Sequence, residues 1–274
     1  MSTTIDQAFV KQFEREVHET YQRRGSKLMN AVRRKPNVRG SSTTFQKVGQ
    51  GTATTKARHA TITPMNADHT PVECVLQDFY AGDWVDKLDE TKVQHDEKRV
   101  IVNAGAYALG RKTDELVIAE LDATANEEPH ASVGLEKAKI LNALKTLGDN
   151  DVFEEGRMFA IVPWTEWTQL IDIAEFKSSD FAGENFAWLK GTEAKLWLGT
   201  VWMPHSGLEA LVSGGLSKSF WFHEDALGWA YGAKVTSDIT WHGDRAAHFV
   251  NNMMSGGACL IDDKGVVEIQ SQRS

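Results

Sequence analysis

From Ser41 to Gln77 the chain runs through Thr, Gly, Val and Ala with few large apolar side chains, too few to close a core of its own. Within it, "KARHATIT" (56–63) and "PVECVLQD" (71–78) predict β-strands, and the turn-rich "PMNADHT" predicts their connection. The reading is a long hairpin with a Gly-rich base, "VGQGT". A two-stranded hairpin alone is marginal in water. This stretch therefore requires a partner outside itself.

The segment before it makes the same demand. Residues 6–33 predict a helix, since Phe9, Phe13, Val17 and Tyr21 recur every fourth position while Glu14, Glu16, Arg23 and Arg24 fall elsewhere. "RRKPNVRG" then ends it, with Pro36 forbidding continuation and Gly40 loosening the chain. Such a helix carries an apolar stripe with no local surface to cover it. It must pack on something distant or on another molecule.

Charge divides the chain as well. Residues 1–60 hold 12 Lys/Arg against 4 Asp/Glu, a net of +8, and the remainder holds 18 against 34, a net of −16. A basic head can contact nucleic acid or dock on the acidic body of another copy, whereas a body at −16 repels phosphates and argues against wrapping DNA tightly. The longest apolar runs, such as "FAIV" and "ACLI", fall far short of the ~20 residues of a membrane helix. No continuous signal-peptide core opens the chain, so folding in cytoplasm is the expectation. Cys74 and Cys259 are the only cysteines, which permits at most one bridge and reads as two buried thiols.

The rest reads as a mixed α+β protein. Residues 82–125 are helical in character: an acidic lead-in, then Val102, Ala106, Leu109, Thr113, Leu116 and Val117 at helix spacing, weakened by Gly105 and Gly110. A helix is expected over about 134–147, stopped by Gly148. "RMFAIVP" predicts a buried strand, "WTEWTQLIDIAEF" a helix, "KLWLGTVWM" an alternating strand, and "ACLIDDKGVVEI" a closing hairpin turning at Asp263 and Gly265. Trp164, Trp167, Trp197 and Trp202 are expected in the core, although tryptophan is also common at interfaces.

Clusters that look chemical yield little. In "FWFHEDALGWAYG" (220–232), Glu224 and Asp225 fall in the first turn of an expected helix carrying Leu227, Ala230 and Tyr231, where peptide dipoles favour acids. For zinc, His223 lacks close partners, as His205, His242 and His248 follow no H-x-x-x-H or C-x-x-C pattern. Asp83, Asp86, Asp89 and Glu90, interleaved with Lys87 and Lys92, read as a solvated acidic face rather than a cation site. "GQGTATTK" and "SGGLSKS" lack the Gly-Lys-Ser/Thr step of a phosphate loop. No acid or base can be assigned to Ser206 in "HSG". "RRKPNVR" has no interleaved aromatics for base stacking and reads as a solvated or partner-facing arm. No catalytic residue, cofactor or metal site is expected.

The order of these parts resembles the major capsid proteins of tailed bacteriophages, with the Hong Kong 97-type fold. The likeness rests on a helical arm, a long hairpin and a long helix after "DWVDKLDETKVQHDEK". It also rests on the strand–Pro–helix stretch "GRMFAIVPWTEWTQLIDIAEFKSSDFAG", on "FHEDALGWAYGAKV" and on the close "GGACLIDDKGVVEI". The resemblance implies an N-terminal arm over residues 1–40 and an E-loop hairpin over 41–78. A P-domain with a spine helix at about 96–123 would occupy 79–150, an A-domain mainly 151–240, and a return to the P-domain with a C-terminal hairpin 241–274. It implies self-assembly into pentamers and hexamers of an icosahedral shell around double-stranded DNA held without sequence-specific binding. Scaffolding, portal and decoration proteins are the further partners it suggests, with no membrane, and a virion assembled in host cytoplasm. Candidate contacts between subunits are Phe9, Phe13, Arg33, Arg34, Lys35, Arg58, Thr61 and Glu73. Lys47 and Lys56 lie in the E-loop, but no asparagine or catalytic acid can be matched to them, so no covalent cross-link is expected. Encapsulin shells share the fold and form the alternative; a soluble hydrolase using His223, His205 and nearby acids is a weaker third.

Overall fold

The computed structural model describes residues 25–90, 96–173, 176 and 194–273. These fall into two compact units. One holds residues 78–90, 96–111 and 234–254 with Gly25, and the other holds 26–77, 112–173, 194–233 and 255–273 with Phe176.

In the second unit a six-stranded sheet carries the core. Its strands are β5 (Glu127–Glu128), β6 (Met158–Val162), β7 (Lys195–Trp197), β8 (Thr200–Pro204), β9 (Leu216–His223) and β12 (Val266–Gln272), in the order β5-β12-β9-β6-β8-β7. Register explains how tryptophans fit between strands: Ala160 of β6 pairs with Trp202 on one side and Trp221 on the other. A small side chain between two large ones lets the indoles meet above it, with ring centroids 5.1 Å apart. α3 (Lys137–Asp149) and α4 (Trp164–Asp172) supply Ile140, Ala143, Leu147, Trp167 and Leu170 to this same cluster. The opposite face, with Ile161, Phe220 and Phe222, is buried as well. There Lys218 of β9 reaches Asp122, just beyond the end of α2 (Glu97–Leu121). Lys139 of α3 donates to the carbonyls of His130, Val133 and Gln270, which fastens α3 to the loop before it and to β12.

A four-stranded sheet has the order β1-β10-β11-β4, formed by β1 (Arg33–Lys35), β10 (Leu227–His242), β11 (Ala247–Leu260) and β4 (Gln77–Asp86). In the first unit the early part of α2 approaches this sheet closely. A Cβ on Gly105 would stand 2.1 Å from Asn252 Nδ2 and 2.9 Å from Ala81 O, so only glycine admits the strands there. That is the reason a glycine sits in a helix it would otherwise weaken.

Several expectations hold. The long helix at about 96–123 is α2, the helix after 134 is α3, and "RMFAIVP" and the start of "WTEWTQLIDIAEF" are β6 and α4. Others are corrected. Residues 25–32 form turns and Arg33–Lys35 a strand, so the predicted 6–33 helix does not run to its expected end, and its earlier part lies outside the described residues. Gly25 at φ 71° leaves helical space just before that stretch. Residues 82–86 belong to β4 instead of a helix, followed only by the short α1 (Lys87–Glu90). "KLWLGTVWM" is two strands, because Leu198 (φ 51°) and Gly199 (φ 67°) make a tight turn that folds β8 back on β7. α3 runs through Gly148 to Asp149, with Asn150 as its cap. Only a single short turn of helix spans Glu224–Ala226, and the residues after it form β10; its first five are buried throughout, and such a run carries no period to separate strand from helix. β11 and β12 are not a hairpin, since they lie in different sheets and the Asp263–Gly265 turn passes the chain between them. Trp167, Trp197 and Trp202 are buried, but Trp164 is exposed.

Candidate assembly interface

The predicted hairpin exists with its strands placed differently. β2 (Ser42–Val48) pairs antiparallel with β3 (His69–Val75), Phe45 opposite Val72 and Thr43 opposite Cys74. "KARHATIT" is not a strand, and "VGQGT" begins the tip instead of forming the base. The cause is burial: Phe45 and Cys74 seat these two strands, whereas the residues between 49 and 66 are all exposed.

At the root the anchoring is specific. Phe45, only 3% exposed, sits with Cys74, Ala230, Cys259 and Ile261. A Cβ on Gly228 would stand 2.7 Å from the Phe45 ring, so the glycine makes its seat. Arg33 and Lys35 lie over the same ring at 5.8 and 5.7 Å, and Lys35 Nζ donates to Thr44 O at 2.8 Å. Lys47 Nζ donates to Asp262 at 2.7 Å. Leu76 N–H donates to Ser41 O, and Val38 N–H to Tyr231 O. Beside the root lies a cavity of 340 Å³ lined by Val72, Glu73, Val75, Leu116, Glu120 and Leu260 among others.

Beyond the root the chain is bare. His59 at φ 68° and the bond from Ala60 N–H to Ala57 O shape a turn, and Gly49 N–H donates to Asp68 O. Ile62 is 69% and Met65 59% exposed. Both are large apolar side chains at the exposed end of a segment without a core of its own.

The sequence-predicted contact residues divide accordingly. Phe9 and Phe13 lie outside the described residues. Arg33, Arg34 and Lys35 form β1, which pairs parallel with Gly228–Ala230; Arg34 donates to Asn30, while Arg33 and Lys35 serve their own chain's Phe45. Arg58 and Thr61 are exposed at the tip, and Glu73 is exposed at the root beside the cavity. The structure therefore brings the basic strand to the root and leaves Arg58 and Thr61 away from it.

One buried site escaped the sequence reading. Asp114 Oδ1 accepts from Ser26 Oγ (2.5 Å) and Leu28 N–H (3.1 Å), and Oδ2 accepts from Lys27 N–H (3.1 Å) and faces His205 Nε2 at 3.0 Å. His205 Nδ1 accepts from Gly207 N–H, so the ring proton sits on Nε2 and is donated to Asp114. Burial alone would raise the Asp114 pKa, but bonds from His205, Ser26 and the two backbone N–H groups outweigh it and hold the carboxyl below its ordinary value. Serine, histidine and aspartate are present, but the carboxylate stands between the other two and Ser26 Oγ itself accepts from Met29 N–H. This is a knot that fastens residues 26–28 to α2, and not a hydrolytic triad, which needs serine on histidine. An aspartate amid the apolar stripe of α2 was its one sequence signal.

His223 is likewise occupied in a turn, its Nδ1 accepting from Asp225 N–H while Arg157 bonds Asp225 at 2.5 Å. Among the described residues no group of three or more His, Cys, Asp or Glu is placed to hold a metal ion. Asp83 and Asp86 stand on β4, so the four acids share no helical face, and Glu90 lies between Lys98 and Lys87, which lower its pKa to about 2.

Against known proteins, a family model described as phage capsid protein matches residues 5–272. Nothing among curated sequences matches. Solved structures that resemble the chain include one of Mycobacterium phage Che8, 18% identical, TM-score 0.72, covering 95% of this chain and 97% of that one. The capsid of Ralstonia phage GP4 is 13% identical, with TM-score 0.75 and coverage of 100% and 99%. The head of Helicobacter pylori bacteriophage KHP40 is 12% identical, with TM-score 0.75 and coverage of 96% and 94%.

Proposed function

Because the chain belongs to the phage capsid protein family and has the Hong Kong 97-type fold, we propose that the β2–β3 tip and the basic head are the surfaces through which copies clasp one another in the shell. As a major capsid protein it is a structural component of the virion, and its neighbours in an icosahedral shell are copies of itself. In this reading the shell is tiled by pentamers and hexamers, assembles in host cytoplasm without catalysis by this chain, and encloses double-stranded DNA. An inner wall on a body of net charge −16 would let that DNA slide. Scaffolding, portal and decoration proteins are the further partners. Residues 1–40 act as arm, 41–78 as E-loop, 79–150 as P-domain, 151–240 mainly as A-domain and 241–274 as the return to the P-domain.

One observation carries the reading: an anchored root holds out a tip whose Ile62 and Met65 are uncovered. In an assembled shell Arg58 and Thr61 of the tip meet a neighbour, and Glu73 with Glu120 offers acidic cover beside the root. Phe9 and Phe13 give the arm its apolar grip.

The test replaces residues 49–68 by Asn-Gly, which joins paired Val48 and His69 through a two-residue turn. Folded protomers without closed shells in electron micrographs are the expected result, and regular shells would overturn the reading. The matched family favours a virus over an encapsulin-like compartment. DNA inside purified particles is expected; an enzyme lining the inner wall would reverse that choice.

A further inference from the structure

Among the described residues, no strand covers the outer edge of β10 beyond Tyr231. β1 pairs only with Gly228–Ala230, and the last bond to that edge among the described residues is Val38 N–H to Tyr231 O. Every residue from 233 to 241 is exposed. Natural edges are protected by proline, lysine or a bulge, because bare N–H and C=O groups template another strand. Here the run "VTSDITW" (235–241) holds four β-branched residues and no proline or glycine, with Asp238 its one charge and Lys234 just before it.

The edge also carries an apolar ledge on one face. Ser237 Oγ bonds Asn252 Oδ1 at 2.5 Å, and the Trp241 ring lies 4.9 Å from His248, so odd-numbered residues of β10 share the face of Asn252 and His248. On it, Val235 is 39%, Ile239 47% and Trp241 48% exposed. The opposite face is already furnished, with Trp84 against Phe249 and His242.

We propose that residues 234–240 of β10 pair antiparallel with the same residues of a second copy, about a two-fold axis at Ser237. The segment suits itself. Val235 then stands opposite Ile239 twice, Thr236 opposite Asp238, and Lys234 diagonal to Asp238 of the other copy. Its own charges, Lys234 and Asp238, cancel, so two copies meet without the repulsion that a body of −16 would otherwise impose. One strand pair buries less than the roughly 1,200 Å² of a stable independent complex, so this contact operates among the many of a shell. It rests on the family's self-assembly, but on a segment distinct from the hairpin.

The test is disulfide trapping in assembled particles of the full chain. Directly opposed residues of antiparallel strands lie about 4.5–5.5 Å apart at Cα, within disulfide reach. Ser237→Cys under mild copper oxidation should give a dimer as the main band on a non-reducing gel, while Thr240→Cys, opposite Lys234 in this register, stays single. Cys74 and Cys259 are buried, and unsubstituted particles serve as their control. The double variant Thr236→Cys/Asp238→Cys probes the other face independently, so loss of the Ser237–Asn252 bond cannot mask the result. Intact particles without dimer in either variant overturn the proposal, as does equal cross-linking at Thr240. Val235→Lys/Ile239→Lys should lower shell yield by about tenfold with an unchanged circular dichroism melt, and unchanged yield counts against it. If unsubstituted protein forms no particles, the assembly reading fails and not this edge.

Discussion

The six-stranded sheet and the β2–β3 hairpin solve the same problem in opposite ways. The sheet covers both faces from within the chain: tryptophans flank Ala160, helices α3 and α4 close one side, and Phe220 and Phe222 are buried on the other. The hairpin buries one residue of β2, Phe45, and extends bare chain from there. One element is finished within the protomer, and the other is finished only at its root. Substitutions in the first should therefore be read out as protomer stability, and substitutions at the far end of the second as assembly.

The two largest losses are expected at Asp114 and at Phe45. Asp114→Ala strips the acceptor from Ser26, two backbone N–H groups and His205, all of them buried or partly so, at a cost of about 3–5 kcal/mol in urea unfolding of released protomers. Its pH dependence has a definite sign. The folded carboxyl has a depressed pKa, so its contribution is complete above the ordinary aspartate value of about 3.9 and is lost as the pH falls through the lower folded value. Asp114→Ala should flatten the acid limb of the stability profile; an unaltered limb would remove Asp114 from this account.

Next comes the root. Phe45→Ala should cost about 3–5 kcal/mol of anchoring, because the ring fills the seat that Gly228 leaves. Trypsin cleavage after Lys47, Lys56 and Arg58 should accelerate while the melt of the six-stranded sheet changes less. Equal destabilisation everywhere would erase the distinction between root and body. Lys47→Met is expected to do far less. The Lys47–Asp262 pair is more than a third exposed on both sides, which limits it to about 0–1 kcal/mol, visible as faster amide exchange in β2 and β3.

Legibility followed the same division. α3 and α4 were readable from an apolar stripe at helical spacing, β6 from a short apolar run closed by Pro163, and α2 from its length and its spaced apolar residues. β10 was misread because Leu227–Tyr231 is buried on both faces and carries no period, and the β7–β8 turn because its left-handed Leu198 looks like a strand residue. The hairpin was foreseen as an element that cannot satisfy itself, but its strands were displaced: β-branched content favoured "KARHATIT", whereas the buried anchor, Phe45, decided the pairing. The Asp114 knot joins positions 88 and 91 residues apart, a separation that no local spacing encodes. Arg33 and Lys35 were visible as basic residues, yet their role over Phe45 depends on tertiary contact.

The smallest change in protomer stability, and the sharpest separation of the two regions, belongs to the tip. Ile62 and Met65 are both more than half exposed, so serine at both positions removes little buried area and should move the melt by less than about 0.5 kcal/mol. In a shell the same two side chains would be taken out of water by a neighbour, where a buried Ile or Met contributes about 1.5–3 kcal/mol. That contribution is repeated in every copy of a closed particle, so the assembly threshold should rise steeply while folding is untouched. The informative measurement is light scattering against protein concentration for Ile62→Ser/Met65→Ser beside the parent chain. A shifted threshold with matched melts keeps the tip as an interface. Coincident thresholds would return Ile62 and Met65 to ordinary surface residues and move the burden of assembly to the basic head and the β10 edge.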